Sequence, residues 1–132
     1  MIKRVNHVGI VVKSVDDTLK FFGEAFGFKA QHIETVPDQG VRTAFVMVGD
    51  TAIEFFEPTD PNGGVARFLA TRGEGVHHIS LETSDIDAEL ARLESQGIAL
   101  IDRKGKPGTA GKVGFVHPKA TKGILFELVQ KV

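Results

Sequence analysis

The stretch Val5-Asn6-His7-Val8-Gly9-Ile10-Val11-Val12 returns 71 residues later as Val76-His77-His78-Ile79-Ser80-Leu81-Glu82-Thr83. Both copies are rich in β-branched residues and read as strands. A recurrence over this distance marks a repeated structural unit, so the chain is read outward from it. Eight residues past His7 stands Val15, and eight past His78 stands Ile86. Each opens a helical pattern: Val15, Leu19, Phe22 and Phe26 in the first copy, Ile86, Leu90 and Leu93 in the second. The i, i+4, i+7 spacing presents one apolar face. Ser14 precedes Asp17 by three and Ser84 precedes Asp87 by three, a serine N-cap with an acid in the first turn. Gly27 and Gly97 stand where left-handed helix stops are expected.

Short strands follow each helix: residues 30–36, 42–48 and 51–57 in the first copy, 99–102, 112–117 and 123–129 in the second. The last strands align, Ile53-Glu54-Phe55 against Phe126-Glu127-Leu128. The reading is an α+β chain of two tandem β-α-β-β-β modules, near 1–58 and 74–132, forming one domain with a curved-sheet cleft. Residues 59–73 connect them, through the turn-rich Pro58-Thr59-Asp60-Pro61-Asn62-Gly63-Gly64 and a short amphipathic helix at 65–71. Residues 105–112 read as a loop; they lack the Gly-Lys-Ser/Thr ending of a phosphate loop.

Composition narrows the function. The chain has 132 residues, 42% hydrophobic and 25% charged, which suits one globular domain. Sixteen basic and seventeen acidic residues give a net charge of -1. No single-sign field is available to attract nucleic acid or an anionic membrane. With no cysteine, disulfides and thiolate metal sites are excluded, and a metal must take His, Asp, Glu or amide ligands. The first residues lack a signal-peptide core, and no apolar run approaches the roughly 18 residues of a membrane helix. The expected location is the cytoplasm.

Each first strand carries a histidine, and each last strand carries a glutamate on an apolar run. Alternation allows Glu54 and Glu127 to face solvent. A carboxylate facing the core is costly unless paired or bound to a metal. Two His and two Glu at equivalent places in both copies instead suit a His2Glu2 octahedral site, with two positions open to water or substrate. Mixed imidazole and carboxylate ligands suit Co, Ni, Mn, Fe or Zn. Alignment pairs His78 with His7 and His77 with Asn6, so His78 is expected as the ligand and His77 on the opposite face.

These residues resemble the vicinal oxygen chelate superfamily, the glyoxalase-like fold of glyoxalase I, extradiol dioxygenases and methylmalonyl-CoA epimerases, over nearly the whole chain. The epimerases are the nearest group. The segments that carry this are His7-Val8-Gly9-Ile10, Gln39-Gly40-Val41, Ile53 to Pro58, Gly73-Glu74-Gly75-Val76-His77-His78, Phe115-Val116-His117-Pro118-Lys119 and Gly123 to Leu128. The resemblance implies a divalent metal (Co, Ni, Mn or Zn) on His7, Glu54, His78 and Glu127. It implies interconversion of (2R)- and (2S)-methylmalonyl-CoA by 1,1-proton transfer through a metal-stabilised enolate. Glu127 is then one acid/base, and pseudo-symmetry makes Glu54 the other. Some relatives carry glutamine in place of Glu54, and some carry a glutamate in place of Thr43. Gln39 and Lys119 are candidate substrate contacts, with turn and solvated-lysine roles as the bland alternatives. The expected partner is a small acyl-CoA and the expected assembly a homodimer. The rivals are a glyoxalase I-type lyase acting on a glutathione hemithioacetal and a non-catalytic ligand-binding protein of the same fold.

Overall fold

In the computed structural model, which describes residues 1–108 and 111–131, the chain forms two compact units. One is Val8–His77; the other is Met1–His7 together with His78–Val132. The chain passes between them inside two strands, after His7 and after His77. Both histidines expected as ligands therefore stand at a crossing point.

In the unit Val8–His77, the end of β1 (Ile2–Val11) leads into α1 (Val15–Phe26). Strands β2 (Ala30–Val36), β3 (Val41–Val48) and β4 (Thr51–Pro58) follow as an antiparallel meander. Val12 donates its N–H to the Phe56 carbonyl, which sets the end of β1 beside β4. Ala44, Val46 and Phe55 alternate to one face and pack with Val12, Val15, Leu19 and Phe22. Fully burying a valine, leucine or phenylalanine side chain contributes roughly 1.5–3 kcal/mol. Thr43, Phe45, Glu54 and Phe56 alternate to the other face. Part of that face is covered by α2 (Gly64–Arg72) through Val65, Phe68 and Leu69.

In the other unit, β5 (Gly75–Thr83) contributes its residues from His78 onward. It pairs in parallel with β8 (Leu125–Gln130), which pairs antiparallel with β7 (Gly111–Val116), and β7 with β6 (Lys106–Gly108). Helix α3 (Ile86–Ser95) buries Ile86 and Leu90 against Leu128, with Leu81, Leu93 and Leu100 around them. The opposite face of these strands carries His78 and Ser80 on β5, Glu127 on β8 and Phe115 on β7.

The repeat is visible in its capping chemistry. Ser14 Oγ accepts the Asp17 N–H at 3.1 Å. In the second copy the cap is Asp85 and not Ser84: Asp85 Oδ1 accepts the Ala88 N–H at 3.1 Å. Asp85 stands 71 residues after Ser14, the same offset as the histidines. A side chain from each last strand also accepts the first helical N–H, Glu57 Oε1 from Val15 at 3.0 Å and Gln130 Oε1 from Ile86 at 2.9 Å. Gly27 ends α1 at φ 73° and Gly97 follows α3 at φ 79°, as expected.

Two further expectations change besides the cap at Ser84. The strand at 99–102 is reduced to a single bridge, Leu100 with Val116. Part of the predicted loop at 105–112 is instead the short strand β6, which meets β7 with Lys106 opposite Val113. Thr109 and Ala110, in the same predicted loop, lie outside the described residues. No helix among the described residues is long and apolar enough to cross a membrane.

Candidate metal and acid-base centre

Three of the four expected ligands meet in the unit that holds both ends of the chain. His7, His78 and Glu127 are 4%, 7% and 8% exposed, so each polar side chain has been taken out of water. His7 Nε2 lies 3.0 Å from His78 Nε2 and 3.5 Å from Glu127 Oε1. The rings meet edge to face with centroids 5.1 Å apart. Alternation along β5 and β8 brings His78 and Glu127 to the face away from α3. The same alternation sets Phe115, opposite Glu127 in register, edge-on to His78 at 6.4 Å.

The nitrogen chemistry is specific. His7 Nδ1 is 2.7 Å from Asn6 Oδ1, an acceptor, so Nδ1 carries the proton and donates. Burial pushes the His7 imidazole from 6.5 down to about 4. At neutral pH the ring is therefore uncharged, with an Nε2 lone pair aimed at a second imidazole and a carboxylate. Two imidazole nitrogens and one carboxylate oxygen, with no thiolate, form a donor set suited to a divalent metal of the Co, Ni, Mn or Zn kind. A metal-binding histidine commonly donates its other N–H to an oxygen acceptor, as His7 does. The residues present fit the implied metal.

Glu54 belongs to the other unit, where β4 directs it to the face opposite α1. Thr43, 1% exposed, donates its hydroxyl to Glu54 Oε2 at 2.9 Å. Burial raises the Glu54 carboxyl from 4.5 to about 7, an effect the Thr43 hydroxyl partly offsets. A carboxyl in that range can hold or release a proton near neutrality.

His77 sits among aromatic rings. It packs edge-on to Phe56 and Phe68, at 5.4 and 4.9 Å, as expected for a ring on the opposite face. Gln39 ends an exposed single turn, Pro37–Gln39. That turn closes at Gly40, φ 64°, where a Cβ would come within 2.9 Å of Asp60 Cβ. Lys119 is exposed on the turn Pro118–Ala120, its backbone N–H bonded to His117 Nδ1 at 3.1 Å. Lys112 pairs with Asp87 at 2.9 Å.

Sequence reasoning missed Asn6, Glu82 and Arg4. Glu82 is 7% exposed and accepts from Arg4 Nη1 at 2.6 Å and Asn6 Nδ2 at 3.2 Å. One signal was available: His78, Ser80 and Glu82 alternate along β5, so a charge sits on the ligand-bearing face. Thr43 was marked only as the position where some relatives carry a glutamate, since a lone threonine in a strand is otherwise unremarkable in sequence.

Comparison with known proteins completes the description. Residues 6–115 match the family described as Glyoxalase/Bleomycin resistance protein/Dioxygenase superfamily. The chain is 36% identical over 128 residues to the uncharacterized protein YqjC of Bacillus subtilis, covering 96% of this chain and 91% of that one. It is 35% identical over 134 residues to the ethylmalonyl-CoA/methylmalonyl-CoA epimerase of Cereibacter sphaeroides, covering 98% and 99%. A solved methylmalonyl-CoA epimerase in complex with methylmalonyl-CoA and NH4+ superposes with a TM-score of 0.93 at 34% identity, covering 100% of this chain and 96% of that one.

Proposed function

This chain belongs to the Glyoxalase/Bleomycin resistance protein/Dioxygenase superfamily, and from that membership we propose that it is a metal-dependent epimerase interconverting (2R)- and (2S)-methylmalonyl-CoA. The observation that carries the reading is the convergence of two buried imidazole nitrogens at 3.0 Å beside the Glu127 carboxylate. Epimerases as relatives over nearly the full chain support the choice of reaction.

His7, His78 and Glu127 would hold the metal, with Glu54 as the fourth ligand. When bound, the metal supplies Lewis-acid stabilisation of the negative charge that develops on the substrate's thioester oxygen. The remaining chemistry belongs to the chain. The C2 proton of methylmalonyl-CoA lies between a thioester and a carboxylate and is weakly acidic. Inversion requires a base on one side of C2 and an acid on the other. Glu127 takes the proton from one side onto its carboxylate. Glu54, its counterpart in the other copy, returns a proton to the opposite side, and the roles exchange in the reverse direction. Net charge and proton count are conserved over the cycle. Phe115 stands edge-on to His78 beside the ligand cluster.

The test is proton exchange by NMR. Purified protein supplied with Co2+ is mixed with methylmalonyl-CoA in D2O while the C2–H and methyl signals are followed. Exchange that disappears in Glu127→Gln and on chelation is the expected result. Metal binding without exchange would sink the epimerase reading and turn attention to hemithioacetal substrates and then to ligand-binding screens.

A further inference from the structure

A chain of hydrogen bonds runs outward from His7 through three residues that the mechanism above does not use. Arg4 Nη1 donates to Glu82 Oε1 at 2.6 Å, and Asn6 Nδ2 donates to the same oxygen at 3.2 Å. Asn6 Oδ1 in turn lies 2.7 Å from His7 Nδ1. Every link has a forced polarity. A guanidinium only donates and an ionised carboxylate only accepts. Glu82 therefore requires the NH2 end of the Asn6 amide. That requirement turns the amide oxygen toward His7. An amide oxygen only accepts, so the imidazole must carry its proton on Nδ1. The Nε2 lone pair is then directed at His78 and Glu127.

We propose that Arg4, Glu82 and Asn6 are positioning residues that lock His7 in the Nδ1-protonated tautomer and so keep Nε2 available as a ligand nitrogen. The controlling group is the Glu82 charge, two hydrogen bonds away from the ring. Amide orientations and histidine tautomers follow from the network around them, and this network ends on groups that cannot reverse. Glu82 is buried at 7% exposure, and Arg4 supplies the charge that compensates it. An isolated buried carboxylate would be costly. The pair makes an ionised Glu82 tolerable, and a neutral group would not impose the polarity.

The consequence for metal affinity rests on the function proposed above, but the tautomer does not. The experiment uses the full chain labelled with 15N-histidine and stripped of metal. Two-bond 1H–15N correlation spectra distinguish protonated from unprotonated ring nitrogens. The wild type is expected to show His7 with Nδ1 protonated and Nε2 bare. Glu82→Gln keeps the shape but can donate as well as accept, so Asn6 is released to turn over and both tautomers should appear. Asn6→Leu removes the acceptor altogether and serves as the second variant, with circular dichroism checking the fold of each. Co2+ titration by calorimetry should show affinity falling about tenfold or more in both variants. A wild-type His7 protonated on Nε2 overturns the proposal. So do two folded variants that keep the Nδ1 proton and wild-type Co2+ affinity. If the tautomer follows Glu82 while the wild type binds no Co2+, the metal reading falls and the relay stands.

Discussion

Replacing Glu54 by glutamine should stabilise the metal-free protein, and only above a definite pH. Glu54 is half-buried on β4 with the Thr43 hydroxyl on Oε2. Burial raises its pKa from 4.5 to about 7. The folded chain therefore keeps a proton that the unfolded chain has already released. Below about pH 4.5 the group is protonated in both states and carries no penalty. As pH rises from there through about 7, ionisation pulls toward the unfolded state, and folded stability is lost. A displacement of this size corresponds to at most about 3 kcal/mol once the group is fully ionised. Solvent reaching the half-buried side chain lowers that figure. Glutamine has the same shape, can still accept from Thr43, and carries no charge at any pH. Urea unfolding in EDTA would compare the two proteins from pH 4 to pH 8.5. They should be matched at the acid end, with Glu54→Gln gaining steadily across the window to a plateau of about 2–3 kcal/mol. Excess Co2+ should reverse the order at pH 8, because the carboxylate is proposed as a ligand. A constant difference at all pH values, or a variant less stable at pH 8 in EDTA, would refute the argument that burial governs this carboxyl.

Other outcomes follow from the same geometry. Saturating Co2+ at a hundred times its Kd should raise the unfolding free energy by about 2.7 kcal/mol at pH 7.5, and His7→Ala or His78→Ala should abolish the gain, read by denaturant titration with and without metal. Asp85→Ala should cost about 1 kcal/mol while Ser84→Ala stays near zero, because only Asp85 accepts the Ala88 N–H; equal effects in urea unfolding would return the cap to Ser84. Leu90, fully buried among Ile86, Leu128 and Leu93, should cost roughly 2–5 kcal/mol as Leu90→Ala, and a loss below 1 kcal/mol would mean that α3 relaxes into the gap.

The sequence alone determined what periodicity and one-dimensional spacing can carry. The 71-residue recurrence fixed two equivalent strand–helix beginnings, and the 3.6-residue apolar pattern placed α1 and α3 to within a residue. The paired histidines and glutamates marked the candidate ligands because a polar residue inside an apolar strand is unusual wherever it occurs. The glyoxalase-like fold and the family were legible for the same reason: their motifs are local. Tertiary structure decided everything that depends on partners far apart in the chain. Glu57 and Gln130 cap helices 42 and 44 residues away, and no local pattern predicts such an acceptor. Ser84 and Asp85 are both good caps by composition, and only the backbone conformation leading into α3 selected Asp85. The strand expected at 99–102 shrank to one bridge although the segment does meet a neighbour: Ile101 and Asp102 both donate to the Phe115 carbonyl, and two successive N–H groups on one carbonyl break the alternation a ladder needs. The protonation of His7 lies furthest from the sequence. It depends on a carboxylate 75 residues away acting through an amide, and the polarity of that link exists only once the groups are held within hydrogen-bonding distance.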